Sequence, residues 1–348
     1  MLHDMSKPIA AEVIFNPNWW HRNYGISFDE WFYFDSALRI QNDVQMRRAL
    51  YERFRLGSPN PGPRPIIGSE HVAGGFVMPA LFGCKIRFEA DAAPAPISRD
   101  LGAEQVLALT APDIAATWPM NQLIADMDNL QNEFGNVCGD FNLGGVLNTA
   151  LEIRGQQLFM DFYEAPQLAH HLLSVVTEAQ IAVGTYMRGR TGTLSLSTNR
   201  STVNVDPSIF LHGNCSVQMV SPKVYEEFLF PYEKRLAEKL APYGIHHCGN
   251  NLHLYAPCYA RLPVVFFDVG WGSDVARCRK ELPDAFLNLR LNPVRMLQCT
   301  AAEIRRDAEQ LLAAAGDTRN VGLCCINMDY GTADENVHAM LEVAASAG

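Results

Sequence analysis

The sequence predicts an α/β protein: a (β/α)8 TIM barrel carrying an N-terminal helical, aromatic-rich extension. Three observations lead there. Short apolar runs alternate with amphipathic stretches of helical period from about residue 70 onward, which is the pattern of parallel βαβ units. The runs number about eight, which favours a closed barrel over an open sheet. Several runs also end in His, Cys or Asp, as expected where barrel strands deliver reactive side chains to one mouth.

The elements follow in order. Residues 16–35, NPNWWHRNYGISFDEWFYFD, are dense in aromatics, and a helical pattern starts near Ser36. The breaker-rich GSPNPGPRP at 57–65 is a loop. This divides the chain into an extension over 1–70 and a barrel over 71–348. Candidate strands are QVLAL (105–109), VCGDFNL (137–143), TLSLS (193–197), CSVQMV (215–220), GIHHC (244–248), VVFFDVG (264–270), AFLNLRL (285–291) and VGLCCIN (321–327). Helical stretches lie over 166–189 and 221–244. Ser221 and Pro222 form a cap and first-turn pair, and Gly244 is a stop signal. Thr332 followed by Glu335 has the spacing of a capping box for the last helix.

Composition narrows the class. The 348 residues are 48% hydrophobic and 19% charged, an ordinary globular balance. A net charge of −10 argues against nucleic acid and anionic membrane surfaces as partners. No apolar run approaches the roughly 18 residues of a membrane span. The first residues lack the pattern of a secretory signal, so a cytoplasmic location is expected. The nine cysteines are odd in number and thinly spread, which does not read as a disulfide framework.

Residues 246–250 read HHCGN. On an extended strand His246 and Cys248 point to the same face, and His247 points away. Two such soft donors can share one ion, and a zinc site with an open position needs a third. The candidates for it are Cys324 and Cys325 in LCCIN, at another predicted strand end. Thiolates with imidazole select zinc over magnesium or calcium. The plainer reading is a buried histidine with small buried thiols. Asp268, ending VVFFD, is a candidate fourth ligand or supporting base, or else a cap. Asn142, Asn199, His212 and Asn214 close apolar runs and are candidate substrate contacts, although turn formation is the more usual reason for such residues. Trp20 and Tyr24, with Trp19, Phe28, Trp31 and Phe32, either flank the barrel or shape an aromatic pocket over its mouth. Dinucleotide, P-loop and G-x-S-x-G signatures are absent.

The segments SPKVYEEFLFPYEKRL and IHHCGN resemble the uroporphyrinogen decarboxylase superfamily. GDFNLGGVLNTALEIRGQQLFMDFYEAPQLAHHLLSVVTEAQI (139–181) is similar to its strand, Gly-rich turn and helix. LNLRLNPVRML and CCINMDYGTADENVHAMLEVA resemble its last two units, including a T-x-x-E-N helix start. The likeness covers about residues 100–346 and implies a (β/α)8 barrel. The metal-free decarboxylases of this superfamily carry an arginine-bearing N-terminal motif, where this chain has NWWHRNYG. The cobalamin-dependent methyltransferase branch binds zinc through H-x-C and a distant cysteine, and His246, Cys248 and Cys325 match that pattern. Cys325 is preferred to Cys324 for its spacing from the T-x-x-E-N helix. Cys324 replaces a glycine of the family pattern, and the following loop is slightly long.

The resemblance therefore implies a zinc-dependent methyltransferase. It would move a methyl group between a small molecule (a methyl ether, another methylated donor or a thiol) and a corrinoid protein. The cobalamin would sit on that separate protein, since this chain has no D-x-H-x-x-G pattern. The aromatic N-terminal region favours O-demethylation of a bulky or aromatic donor. A homodimer is the self-assembly to consider, and metal-free decarboxylation is the alternative activity.

Overall fold

Six strands run parallel in one hydrogen-bonded ladder whose order joins the first strand of the chain to the last. The computed structural model describes residues 9–72, 74–192 and 208–347. The strands are β1 (Ala10–Phe15), β2 (Ile66–Gly68), β3 (Lys85–Arg87), β4 (Ala95–Ile97), β5 (Cys138–Asp140), β6 (Phe210–Gly213), β7 (Tyr243–His247), β8 (Val264–Val269), β9 (Phe286–Arg290) and β10 (Val321–Met328). The large sheet has the order β1-β10-β9-β8-β7-β6. β2 and β5 form a separate parallel pair, and β3 with β4 a small antiparallel one. The fold is thus α/β with a six-stranded parallel half-barrel. Among the described residues no ladder joins it to the β2–β5 pair.

Strand alternation gives the sheet two chemically distinct faces. One face packs under helices: Tyr243, Ile245, Phe267, Leu287, Leu289, Leu323 and Cys325 all belong to the main apolar core. The other face is the concave interior. Its floor is apolar, formed by Ala10, Ile209, Leu211, Phe266 and Phe286, with the Phe266 and Phe286 rings stacked at 5.5 Å. Two residues further along each strand the interior turns polar, at His246, Asp268, Asn288 and Glu12. Strand register places His246 opposite Asp268, Asp268 opposite Asn288, and Asn288 opposite Gly322.

Several local expectations change. Residues 105–109 are not a strand; the helix Ala103–Leu107 ends within them, with the Gln105 side chain accepting the Gly102 N–H at 2.9 Å. Residues 215–220 hold only a 3-10 turn over Val217–Met219, and the strand lies just upstream in β6. TLSLS (193–197) lies outside the described residues. Residues 10–15, assigned from sequence to the extension, form β1 beside β10. Ser221 caps as expected, accepting the Val224 N–H, but Gly244 lies inside β7 and the preceding helix stops at Lys239. A π-turn at Tyr225–Leu229 precedes Pro231, whose missing N–H cannot continue the α-helical ladder. Ala333, rather than Thr332, caps the last helix, Asp334–Ser346. No described helix is long and apolar enough to cross a membrane.

Candidate metal centre and the adjoining cavity

Two neighbouring strands deliver three soft donors to one point. Cys215 lies just beyond β6, His246 within β7, and Cys248 just beyond it. One ligand atom from each lies within 4.8 Å of the other two. His246 is buried, whereas the two thiols are half-buried and open onto a cavity. A pair of thiols with an imidazole is a donor set that suits zinc.

The imidazole is held from behind. His246 Nδ1 lies 2.8 Å from Asp268 Oδ2. Asp268 is fully buried, and burial alone would raise its pKa, but His246, Arg290 and Asn288 together hold the carboxyl below its ordinary value. Nδ1 therefore donates, and Nε2 is the nitrogen left to meet a cation. Asp268 Oδ1 accepts from Asn288 Nδ2 at 2.9 Å, and the same nitrogen lies 3.1 Å from Glu12 Oε2. Gly322, between β9 and β1, makes room for this contact: a Cβ there would meet Asn288 Oδ1 at 2.8 Å.

The thiols differ in charge. Contact with Cys215 lowers the Cys248 pKa most. Burial opposes that shift, and the bond to His246 and the charge of Arg290 add to it. Arg290 Nη1 is 3.6 Å from Cys248 Sγ. The same contact, with burial, pushes Cys215 up. Of the two thiols, Cys248 is therefore the more acidic. Burial works against a charged His246, but Asp268 and Cys248 together more than offset it, so its pKa rises.

The cavity beside this group has a volume of 450 Å³, within the range of small-molecule sites. Asn142, Asn148, Thr149, Glu152 and Asn327 line it together with the three donors. The helix Val146–Arg154 supplies one wall and is anchored through its first turn. Its first N–H, at Val146, is accepted by His212 Nε2 at 3.1 Å, and Asn148 Oδ1 accepts the Ser216 N–H at 3.0 Å. Gly145 permits the approach, since a Cβ there would lie 2.1 Å from Gly213 O. Burial pushes Glu152 up to about 7.

The uroporphyrinogen decarboxylase (URO-D) family profile matches residues 73–347. The chain belongs to this family. No curated protein matches it. Among solved structures it is similar to a methyltransferase from Methanosarcina mazei, with a TM-score of 0.66 and 14% identity over 97% of this chain and 94% of that one. At that identity the likeness concerns the fold. It is more remotely similar to a B12-independent methionine synthase from Shewanella sp. W3-18-1, at TM-score 0.39 and 10% identity over 77% and 74% of the two chains.

In this URO-D family chain the residues singled out from sequence have separate fates. His246 and Cys248 come together, but Cys325 does not join them. Its Sγ lies 3.8 Å from Leu291 O within the core under the helices, because it occupies the opposite parity of β10 from the interior row. Cys324 has the interior parity and packs with Ile14 and Ile326. Cys215 takes the third place; in the sequence it adjoins neither a histidine nor another cysteine. Asn142 lines the cavity, with its Oδ1 also accepting the Gly144 N–H at 2.8 Å. Asn199 lies outside the described residues.

His212 and Asn214 belong instead to a buried network around Glu233. The carboxylate accepts His212 Nδ1 at 2.9 Å, Asn214 Nδ2 at 2.9 Å, Tyr243 OH at 3.2 Å, and the Tyr225 hydroxyl. Asp268 stands behind His246 and is absent from the cavity wall, so it positions a donor. Trp20 is buried, donating to His71 O at 3.3 Å, and Tyr24 packs on it at 5.9 Å. Neither lines the cavity; both join an aromatic core with Phe15, Trp19 and Phe54 rather than a pocket over the mouth. Glu152 carried no signal in the sequence beyond an ordinary helical pattern.

Proposed function

We propose that this protein is a zinc-dependent methyltransferase that exchanges a methyl group between a small molecule in the 450 Å³ cavity and a separate corrinoid protein. The observation that carries this reading is the convergence of Cys215, His246 and Cys248 on the cavity wall. Three protein ligands leave a position for a substrate heteroatom, the arrangement of catalytic zinc sites. Bound there, zinc would act as a Lewis acid toward an ether oxygen or hold a thiol as its thiolate. Cys215 is proposed as the third ligand in place of Cys325.

The chain's own residues prepare the site. Asp268 fixes the His246 tautomer, and Arg290 tempers the charge of the Cys248 sulfur. Asn142 and Asn148 offer amides to a polar substrate, which replaces the aromatic donor expected from sequence with a smaller, more polar one. Among the described residues no arginine or lysine lines the cavity. A tetrapyrrole bearing several carboxylates has no cation to meet there, which weighs against the decarboxylase alternative. The two groups of parallel strands are proposed as parts of one (β/α)8 barrel.

Elemental analysis of the purified protein tests the site. Roughly one zinc per chain is expected in the wild type and in Cys325→Ala, with loss in Cys215→Ala and Cys248→Ala. A folded, metal-free wild type after growth with zinc would overturn the proposal. Changes in corrinoid absorbance on mixing with ethers, thiols and amines then test methyl transfer.

A further inference from the structure

We propose that Glu152 is the acid–base residue of this site, giving or taking the proton of the substrate heteroatom across the cavity from Cys215, His246 and Cys248. The inference rests on the methyl-transfer reading and adds to it a residue that the metal centre does not supply. Its basis is geometric. Asn148 and Glu152 are four residues apart on the helix Val146–Arg154, so they share one face about one turn apart. Asn148 contacts Cys215 and accepts the Ser216 N–H, which ties that face to the loop carrying the thiol. Both residues line the same cavity as the three donors. The Glu152 backbone is itself fixed, its carbonyl accepting from Arg99 N at 3.0 Å and Cys84 Sγ at 3.4 Å.

The surroundings leave the carboxyl available for proton exchange. Among the described residues it has no hydrogen-bond donor of its own. On its own helix, Arg154 is paired with Asp161 at 2.7 Å. From the segment packed behind it come the Cys84 thiol and Arg99, whose guanidinium is engaged by Phe82 O. Across the cavity, His246 is paired with Asp268. Among the described residues no cation is paired with this carboxyl, and burial leaves it titrating near neutrality, where acid–base catalysts are most effective.

The proton balance holds in either direction of transfer. With a methyl ether, the methyl–oxygen bond breaks and the methyl passes to a reduced corrinoid carrier. The bonding pair stays on oxygen, which takes the Glu152 proton. With a thiol, sulfur takes the methyl from a methylated corrinoid carrier, which keeps the bonding pair, and the S–H proton passes to the Glu152 carboxylate. In each case solvent resets Glu152.

Glu152→Gln keeps the shape and removes the exchangeable proton, and Glu152→Asp restores the acid on a shorter stem. The full metal-loaded protein should lose on the order of 10²–10⁴-fold in kcat as Gln, with KM little changed and partial recovery as Asp. The wild-type pH profile should bend near neutrality and the Gln profile should not. Infrared titration provides a readout independent of turnover: a protonated carboxyl band should vanish through neutral pH in wild type and be missing in Glu152→Gln. Wild-type turnover and pH profile in the Gln variant, or no such band, would overturn the assignment. A titrating band in a wild type that transfers no methyl group would instead overturn the methyl-transfer reading, and with it the proton's destination.

Discussion

His246 and His247 are consecutive residues of one strand, both buried, and the fold pushes them in opposite directions. His246 faces the interior, where Asp268 and Cys248 together raise its pKa against the effect of burial. His247 faces the helices, where burial pushes it down to about 4. Its Nδ1 lies 2.9 Å from Tyr259 OH and its Nε2 2.9 Å from Asn251 Oδ1, so neutral hydrogen bonding satisfies both nitrogens. One face of β7 builds a carboxylate-backed histidine with one nitrogen left for a ligand, and the other a neutral structural one. The residue type alone does not decide between these uses; the partner across the strand does.

The comparison can be broken from either face. On the helix side, Glu233→Ala should have the largest effect on stability. It strands the donors of His212, Asn214, Tyr225 and Tyr243, and at about 1–3 kcal/mol for each stranded donor the loss should exceed roughly 3 kcal/mol in chemical denaturation. Zinc content of the folded fraction should be unchanged. The same residue predicts an acid limb. Burial would raise the Glu233 carboxyl, but His212, Tyr225 and Asn214 together hold it below its ordinary value. A depressed folded pKa contributes stability above the unfolded value of about 4.3, and that contribution is lost as pH falls through the folded value. Denaturation midpoints measured across acidic pH should show this decline in wild type.

On the interior side, Asp268→Asn should leave stability closer to wild type and weaken zinc binding about 10–100-fold, as loss of a partner behind a ligating histidine usually does. Competition with a chromophoric chelator measures it. Unchanged affinity would mean that Asp268 does not orient the ligand. The smallest change is expected for His247→Gln, which keeps one polar group toward Asn251. It should cost about 1–2 kcal/mol, in the range of a buried hydrogen bond, and retain stoichiometric zinc. Loss of metal in that variant would erase the distinction between the two faces.

The strand that carries both histidines was legible because period-two alternation and soft donors coincide in a short run. VVFFD, LNLRL and LCCIN were legible as strands for the same reason. Cys215 was not, because it meets His246 only through the adjacency of β6 and β7, which no local pattern encodes. Its neighbours in HGNC were nonetheless picked out, one residue short of the thiol. Preferring Cys325 to Cys324 relied on distance from the following helix, and such spacing is blind to strand parity. Residues 10–15 were hidden by the aromatic run that follows them, which drew the whole segment into one extension. Glu152 lies in LEIRG, where nothing but its tertiary setting marks it.

The pairing of β1 with β10 has a consequence for the order of assembly. Ala10 meets Gly322 in that ladder, so the slot through which Glu12 reaches Asn288 is framed only when nearly the whole chain has been made. Contacts this far apart in sequence close slowly. The support behind His246 is therefore a product of the finished fold, and a nascent chain would display Cys215, His246 and Cys248 before their backing is in place. Tight metal retention should mark maturation, separating chains that have completed their ladder from those still acquiring it.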